Sequence, residues 1–397
     1  MKRLATHRGS PGFTLIELVV AAMVSLLVIA GLYVVYAAHT RVFRNQEMVS
    51  QAQVSARYAM EMVKEDLRRA GAMAVSDTND PQVAQRLARP LSVSGARIMS
   101  VGLEHNNGYV PDVGIHLGVG ATRPTQQPDR LTLVGNFTNN ERYWVANIAG
   151  VNVTLQNTSR FDPSDPFPPD ETTFNEIFPN NSSALARIEH GDKVFFSRIT
   201  GREFGSSKVV TADAASICLG SCEGATLNVV NKVRYAVIQA DLTAAEKAIS
   251  ATNKAISTRA DLVREILNWE TDAVIRREVV AENVVDFQVW FLFDANENPQ
   301  TGPAVDQRNF ALLDTETGNA PCGTGVLGSV SCQVKNAHAA VVRISVRTPR
   351  EDPRFPVPTG VRSPLQWYDI DTSAVGAARV RTLVSQVALT NIEYLDY

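Results

Sequence analysis

The sequence holds only four cysteines in 397 residues. That excludes a disulfide scaffold, although four are enough for two local staples in an oxidising compartment. Its six histidines, at positions 7, 39, 105, 116, 190 and 338, fall in no metal or triad spacing. Neither sign of charge dominates: 38 basic and 41 acidic residues give a net −3, with no long block of either. This argues against a protein that coats nucleic acid, because such domains carry a basic stripe. Apolar content of 45% and charged content of 20% are those of an ordinary globular chain. Disorder, collagen-like repeats and a polytopic membrane protein are thereby disfavoured. There is no internal repeat, and the length suggests two or three domains. Proline is missing between Phe13 and Asp80, and Gly31 is the only glycine between Phe13 and Gly71.

What fills that proline-free stretch departs from the average. Leu18 to Ala38 is 21 residues without a charge, which as a helix spans about 30 Å, the thickness of a bilayer core. No other segment approaches it, so one membrane span and a large remainder are expected. Lys2, Arg3 and Arg8 precede the span and place that end in the cytoplasm, while Arg41 and Arg44 beyond it weaken the asymmetry. A cleaved signal peptide, processed near Tyr36-Ala37-Ala38, is the competing reading, but its apolar core is usually only about 7–15 residues. Glu17 interrupts an apolar run that begins at Phe13. An unpaired charge at the bilayer centre costs about 2.5–3.5 kcal/mol even on a lenient scale. Glu17 therefore needs a partner, or it sits near the helix end and snorkels to the interface.

The segment Gly12-Phe13-Thr14-Leu15-Ile16-Glu17-Leu18-Val19-Val20, following a short basic leader, resembles the prepilin motif of type IV pilins and type II secretion pseudopilins. The resemblance implies cleavage between Gly12 and Phe13 by a dedicated prepilin peptidase and N-methylation of Phe13. It also implies that Glu17 pairs with the terminal amine of a neighbouring subunit during assembly. Cleavage creates a positive amine at membrane depth, and Glu17 supplies the matching negative charge.

Beyond Ala38 the chain becomes amphipathic. Val49, Ala52, Ala56, Ala59, Val63, Leu67 and Ala70 recur every three or four residues and share one helical face. Arg68, Arg69 and Gly71 form a helix stop, so a helix of about 85 Å is expected from residue 14 to 70. An ordinary coiled-coil anchor is the alternative. The run from Tyr58 to Gly71 is similar to the helix end of the PilW-type minor pilins, extending the resemblance over the first 71 residues and, more weakly, to the closing strands.

The remainder reads as strands at Arg97–Val101, Val113–Val119, Arg130–Phe137, Tyr143–Leu155, Lys193–Ile199, Lys232–Gln239, Val284–Phe293, Ala339–Arg347 and Arg379–Leu389. Thr243–Ser257, rich in alanine, reads as a short helix. Phe161–Asn181, with five prolines and five acidic residues, reads as an irregular loop.

Signals for chemistry are weak. Sequence proximity favours disulfides Cys218–Cys222 and Cys322–Cys332 among the three possible pairings. Zinc is the rival, disfavoured by the lack of close Cys-x-x-Cys pairs and of a histidine nearby in sequence. Gly220-Ser221-Cys222-Glu223-Gly224 imitates a nucleophile elbow without a convincing strand before it. Gly114, Gly118 and Gly120 make no phosphate loop. Asp294-Ala295-Asn296-Glu297-Asn298 opens like a calcium loop but has Pro299 in place of glycine and Val305 in place of the bidentate glutamate.

The expectation is an α+β, pilin-like fold: a long amino-terminal helix, its first half transmembrane, packed against an antiparallel β-sheet with large β-rich insertions. Expected regions are a leader over 1–12 and the helix over 13–71, divided into a transmembrane half (13–38) and an amphipathic half (39–71). A β-rich periplasmic region over 72–230 and a β-rich pilin-like region over 231–397 follow. The resemblance implies a minor pilin, not an enzyme, which primes a type IV pilus at its tip and uses no metal or cofactor. Its implied partners are other minor pilins, the major pilin, the prepilin peptidase, the inner-membrane assembly platform and a large tip adhesin. The implied location is the inner membrane, single-pass with a periplasmic carboxy-terminal domain, then the pilus. Rivals are a type II secretion pseudopilin, a membrane-anchored periplasmic enzyme and a DNA-uptake pilin. Loss of Lys2, Arg3 and Arg8 with the leader would take the charge from −3 to −6, which disfavours broad phosphate binding and hence nucleic acid as a partner.

Overall fold

The fold is seen in a computed structural model, which describes residues 14–74, 85–88, 98, 100–104, 127–138, 141–156, 170–215, 217–218, 222–250, 253–294, 310–312, 337–352, 367–368, 370 and 376–393. The chain forms two units, Met1–Gln51 and Ala52–Tyr397. Helix α1 (Leu15–Arg69) begins in the first unit. Leu15 to Tyr36 leave large apolar side chains exposed around the whole circumference, Leu15 at 83% and Leu27 at 73%. This segment has a mean hydropathy of 2.8 over eighteen residues and none of it is buried, so it is long and apolar enough to cross a membrane.

In the second unit the strands are β1 (Val101–Glu104), β2 (Arg130–Gly135), β3 (Tyr143–Ala149) and β4 (Asn152–Leu155), followed by helix α2 (Glu171–Ile177). Next come β5 (Ala184–His190), β6 (Lys193–Glu203), β7 (Lys208–Thr211) and β8 (Thr226–Gln239), then helices α3 (Ala244–Ser250) and α4 (Lys254–Ser257). The chain continues through β9 (Ala260–Leu267), β10 (Val274–Ala281), β11 (Val284–Asp294), β12 (Phe310–Leu312), β13 (Ala337–Arg347), β14 (Trp367–Tyr368) and β15 (Ala378–Ala388), and ends in α5 (Thr390–Glu393). Strands β1 to β10 form one sheet, and β12-β11-β13-β15-β14 a second. The two sheets share a core with the end of α1. Ala52, Ala56, Ala59, Met60, Val63, Leu67 and Ala70 pack with Leu131, Leu133, Val233 and Tyr235 of the first sheet and Phe287, Val342 and Ile344 of the second. The fold is thus α+β, with the long helix packed on antiparallel sheets. Small residues on the buried face let the helix backbone approach them closely. Each larger side chain sealed there contributes about 1.5–3 kcal/mol of apolar burial.

The helix ends where expected, and its stop is locked into the sheet. Gly71 takes φ +83°, the left-handed conformation that favours glycine after a helix, and its N–H donates to the Val134 carbonyl at 3.0 Å. Ala70 bridges to Gly135. A Cβ on Gly135 would lie 2.7 Å from the Arg69 carbonyl oxygen, so this contact requires glycine.

Asp66 holds the same end electrostatically. Its Oδ2 accepts from Tyr235 Oη at 2.7 Å and from Arg264 Nε at 2.6 Å. Both partners stand on the sheet, at the paired positions Tyr235 of β8 and Arg264 of β9. A second buried acid, Glu265 of β9, is clamped by Arg234 at 2.6 Å and Arg277 at 2.9 Å.

A further core lies around α2, β3 to β7 and the start of β8, built from Phe174, Phe178, Phe195, Leu227 and Val229. Phe161–Asn181, expected to be irregular, contains α2. Asp170 caps it by accepting from the Thr173 N–H at 2.8 Å, and Phe174, Ile177 and Phe178 fall at helical spacing and are buried. The single strand expected over Tyr143–Leu155 is the hairpin β3–β4, turned at Gly150 with φ +63°. Strand β8 runs through the boundary expected between residues 230 and 231. The expected strand Val113–Val119 lies outside the described residues.

Two stability predictions follow from Asp66. Arg264→Met leaves a buried carboxylate without its cation and should cost about 3–5 kcal/mol in urea denaturation of the detergent-solubilised chain. The double variant Asp66→Leu, Arg264→Met should recover most of that loss, and a near-neutral Arg264→Met would remove the ion pair as the helix anchor. Burial, followed by the Asp66 carboxylate, pushes the Tyr235 phenol above its ordinary value. Its contribution is complete below the unfolded value of about pH 10 and falls as the pH rises beyond that. Wild type should therefore lose stability above pH 10 more steeply than Tyr235→Phe, as read from denaturation midpoints at graded pH.

Candidate functional site

The candidate site is the first turn of α1. Gly12 and Phe13, the expected cleavage and methylation positions, lie outside the described residues. Thr14 is the N-cap residue and Glu17 the third residue of the helix. The Thr14 N–H and Oγ1–H both donate to Glu17 Oε2 at 2.9 Å, and the Glu17 N–H donates to Thr14 Oγ1 at 3.3 Å. This is a reciprocal capping box, which satisfies two of the N–H groups that a helix start leaves without intrahelical partners. The signal was present in the sequence as threonine three residues before glutamate at the head of an apolar run, and the reading of Glu17 by its charge alone passed over it.

The same geometry occurs at α3, where Thr243 and Glu246 exchange the corresponding bonds at 2.8, 2.8 and 3.3 Å. A capping box by itself therefore says only that a helix begins. What distinguishes Glu17 is its surroundings. Leu15, Ile16, Leu18 and Val20 are all exposed, so the carboxylate sits at the head of an apolar surface. Among the described residues its hydrogen bonds are all made through Oε2, which leaves Oε1 to accept from another donor.

The prokaryotic N-terminal methylation motif matches residues 7–33, the stretch that includes Gly12, Phe13, Thr14 and Glu17. Motif and apolar helix together support a type IV pilin-family protein. The match covers under a tenth of the chain. No curated protein and no solved structure matches it. The apolar helix and the motif fit membrane anchoring ahead of a globular carboxy-terminal part.

Of the other expected site residues, Cys322 and Cys332 lie outside the described set. Cys218 and Cys222 are free thiols here, where their proximity in sequence led to the expectation of a disulfide. The two lie within hydrogen-bonding reach, and burial, followed by the Cys222 sulfur, pushes the Cys218 thiol up to about 12. Such a thiol is a poor nucleophile at neutral pH. Cys222 is buried in the core around α2. Sequence reasoning missed Asp66 as a fixed point of the fold. Its signal was an acid on the helical face defined by Ala59, Val63 and Ala70.

Proposed function

We propose that this chain is a minor pilin of a type IV pilus, resembling the PilW type, which primes filament assembly and resides in the tip complex. The observation that carries the reading is the capping box at the head of an exposed apolar helix that bears the methylation motif. In this reading residues 1–12 are a leader, and cleavage after Gly12 leaves a methylated amine on Phe13, next to the N-cap residue Thr14. Glu17 keeps the helix start closed through Oε2 and accepts the amine of a neighbouring subunit through Oε1. Extraction from the membrane then exchanges lipid around Leu15–Tyr36 for the apolar faces of other pilin helices, while the ion pair sets the axial register. The protein acts as a structural subunit, not an enzyme.

The partners on this reading are the prepilin peptidase, the inner-membrane platform, the major pilin, the other minor pilins and a tip adhesin. The β-rich regions over 72–230 and 231–397 face the periplasm, where oxidation would join Cys218 to Cys222 and Cys322 to Cys332. Peptide maps of non-reduced protein that recover neither link would remove this part. A type II secretion pseudopilin shares the motif, but the length of 397 residues and the PilW-like helix ending favour the minor pilin.

Glu17→Gln tests the mechanism cleanly, because glutamine at this position also closes a capping box. The helix start survives and only the charge is lost. A charge-assisted hydrogen bond is worth about 1.5–3 kcal/mol, or about ten- to a hundredfold in an assembly equilibrium. The variant should be made, cleaved to a methylated Phe13 terminus by intact-mass analysis, and retained in the inner membrane, yet support few pili at native expression. Normal pilus yield with normal cleavage would take Glu17 out of assembly. A mature terminus near His39 would replace the pilin reading with an ordinary signal peptide.

A further inference from the structure

One face of the first sheet holds a group of polar atoms that the fold itself does not satisfy. Arg187 on β5 pairs in register with Asn228 on β8. Asn228 is fully buried at 0% exposure, and among the described residues neither its Nδ2 nor its Oδ1 has a hydrogen-bond partner. Arg187 Nε, on the residue paired with it, is likewise unpartnered among the described residues. Arg187 Nη1 donates to Glu189 Oε2 at 2.7 Å and contacts Met73 Sδ at 3.8 Å. On the other side of β8, Tyr143 pairs with Leu227, so Arg142 enters level with Asn228. The charges of Arg142 and Arg86 act on both Arg187 and Glu189. Three guanidinium groups thus lie close enough to act on one carboxylate, and the buried amide of Asn228 stands level with Arg187 and Arg142.

Leaving such groups unpaired costs about 1–3 kcal/mol each, and native proteins rarely tolerate it without an occupant. The local charge of three arginines against Glu189 leaves an excess of two positive charges, which selects a dianion. Guanidinium groups are well matched to the oxygens of phosphate. Hydrogen phosphate alone among the common inorganic dianions also carries an O–H, which can donate to Asn228 Oδ1 while its other oxygens accept from Asn228 Nδ2 and Arg187 Nε. Asn228 is fully enclosed, so the ligand argued for is a small free ion.

We propose that Arg142, Arg187 and Asn228, with Arg86 nearby, form a binding site for one inorganic phosphate ion on the first sheet. The site is independent of the pilin reading, and its test does not involve pili.

The test is calorimetric titration of the full chain in detergent with inorganic phosphate, at ionic strength fixed with sodium chloride. Wild type should bind one ion saturably, and more tightly than it binds sulfate, which lacks the O–H. Arg142 is exposed, so Arg142→Gln should keep the fold, checked by circular dichroism, and weaken binding about tenfold or more. Glu189→Gln removes the competing negative charge and should tighten binding by about tenfold, the lower end of what one adjacent charge does to an ionised neighbour. Asn228→Ala should lose the phosphate-dependent rise in thermal midpoint. No saturable heat from phosphate, sulfate binding as tightly as phosphate, or unchanged affinity in folded Arg142→Gln would each overturn the assignment.

Discussion

The buried carboxylate of Asp66 is the fixed point from which the packing of the globular unit is organised. A charge in that position is unfavourable unless its oxygens are bonded and a cation stands beside it. Tyr235 and Arg264 meet both needs only when β8 and β9 are paired in the observed register. The helix end and the sheet therefore specify one another. Slipping β9 by one residue would turn Arg264 to the opposite face and leave Asp66 buried without a counter-ion. Apolar burial supplies most of the energy of this core, but apolar contacts tolerate small shifts that an ion pair does not.

The glycines at the same place impose the second constraint. Gly135 lets the sheet backbone come against the Arg69 carbonyl, and Gly71 turns the chain out of the helix into a bond with Val134. Helix end, turn and strand β2 are thereby fixed within a few residues of Asp66. The long strand β8 carries this order onward. Val233, Tyr235 and Val237 belong to the core around α1, whereas Leu227 and Val229 belong to the core around α2. One strand supplies side chains to both, so the two cores are built on a common backbone.

How legible each element was depended on whether its pattern was local. Helix α1 could be read because its period persists without proline and its buried stripe is made of small residues. Strands β11, β13 and β15 were read closely from apolar and alternating runs. Strand β8 was half missed, because Leu227 to Val230 are all buried and Asn228 breaks any apolar reading. Strand β10 was missed for the opposite reason: Val274 to Val279 are exposed, and Arg276, Arg277 and Glu278 give it the look of a surface loop. Helix α2 was hidden by the prolines flanking its cap. The capping box at Thr14 was fully legible, whereas the register that sets Arg187 beside Asn228 was not. Residues 41 apart in sequence are brought together by strand pairing, which no local pattern records.

Glu17 and Asp66 are two acids on one helix, and they are accommodated by different means. Asp66 is neutralised by long-range partners that the fold brings to it. Glu17 is accommodated locally, by the N–H groups of the helix start and by Thr14, and this is hydrogen bonding without a countercharge. In water that is enough, as at the exposed N-cap Asp170, which accepts from the Thr173 N–H and Oγ1–H. At the head of an exposed apolar surface it is not, because the remaining oxygen faces surroundings that solvate an anion poorly. The capping box therefore leaves a specific need, one cation at Oε1. In the pilin reading proposed above, a terminal amine generated by cleavage four residues upstream in a second copy of such a helix would have the required charge and depth. Assembly would then be favoured by the same desolvation cost that makes Glu17 unfavourable in the isolated helix.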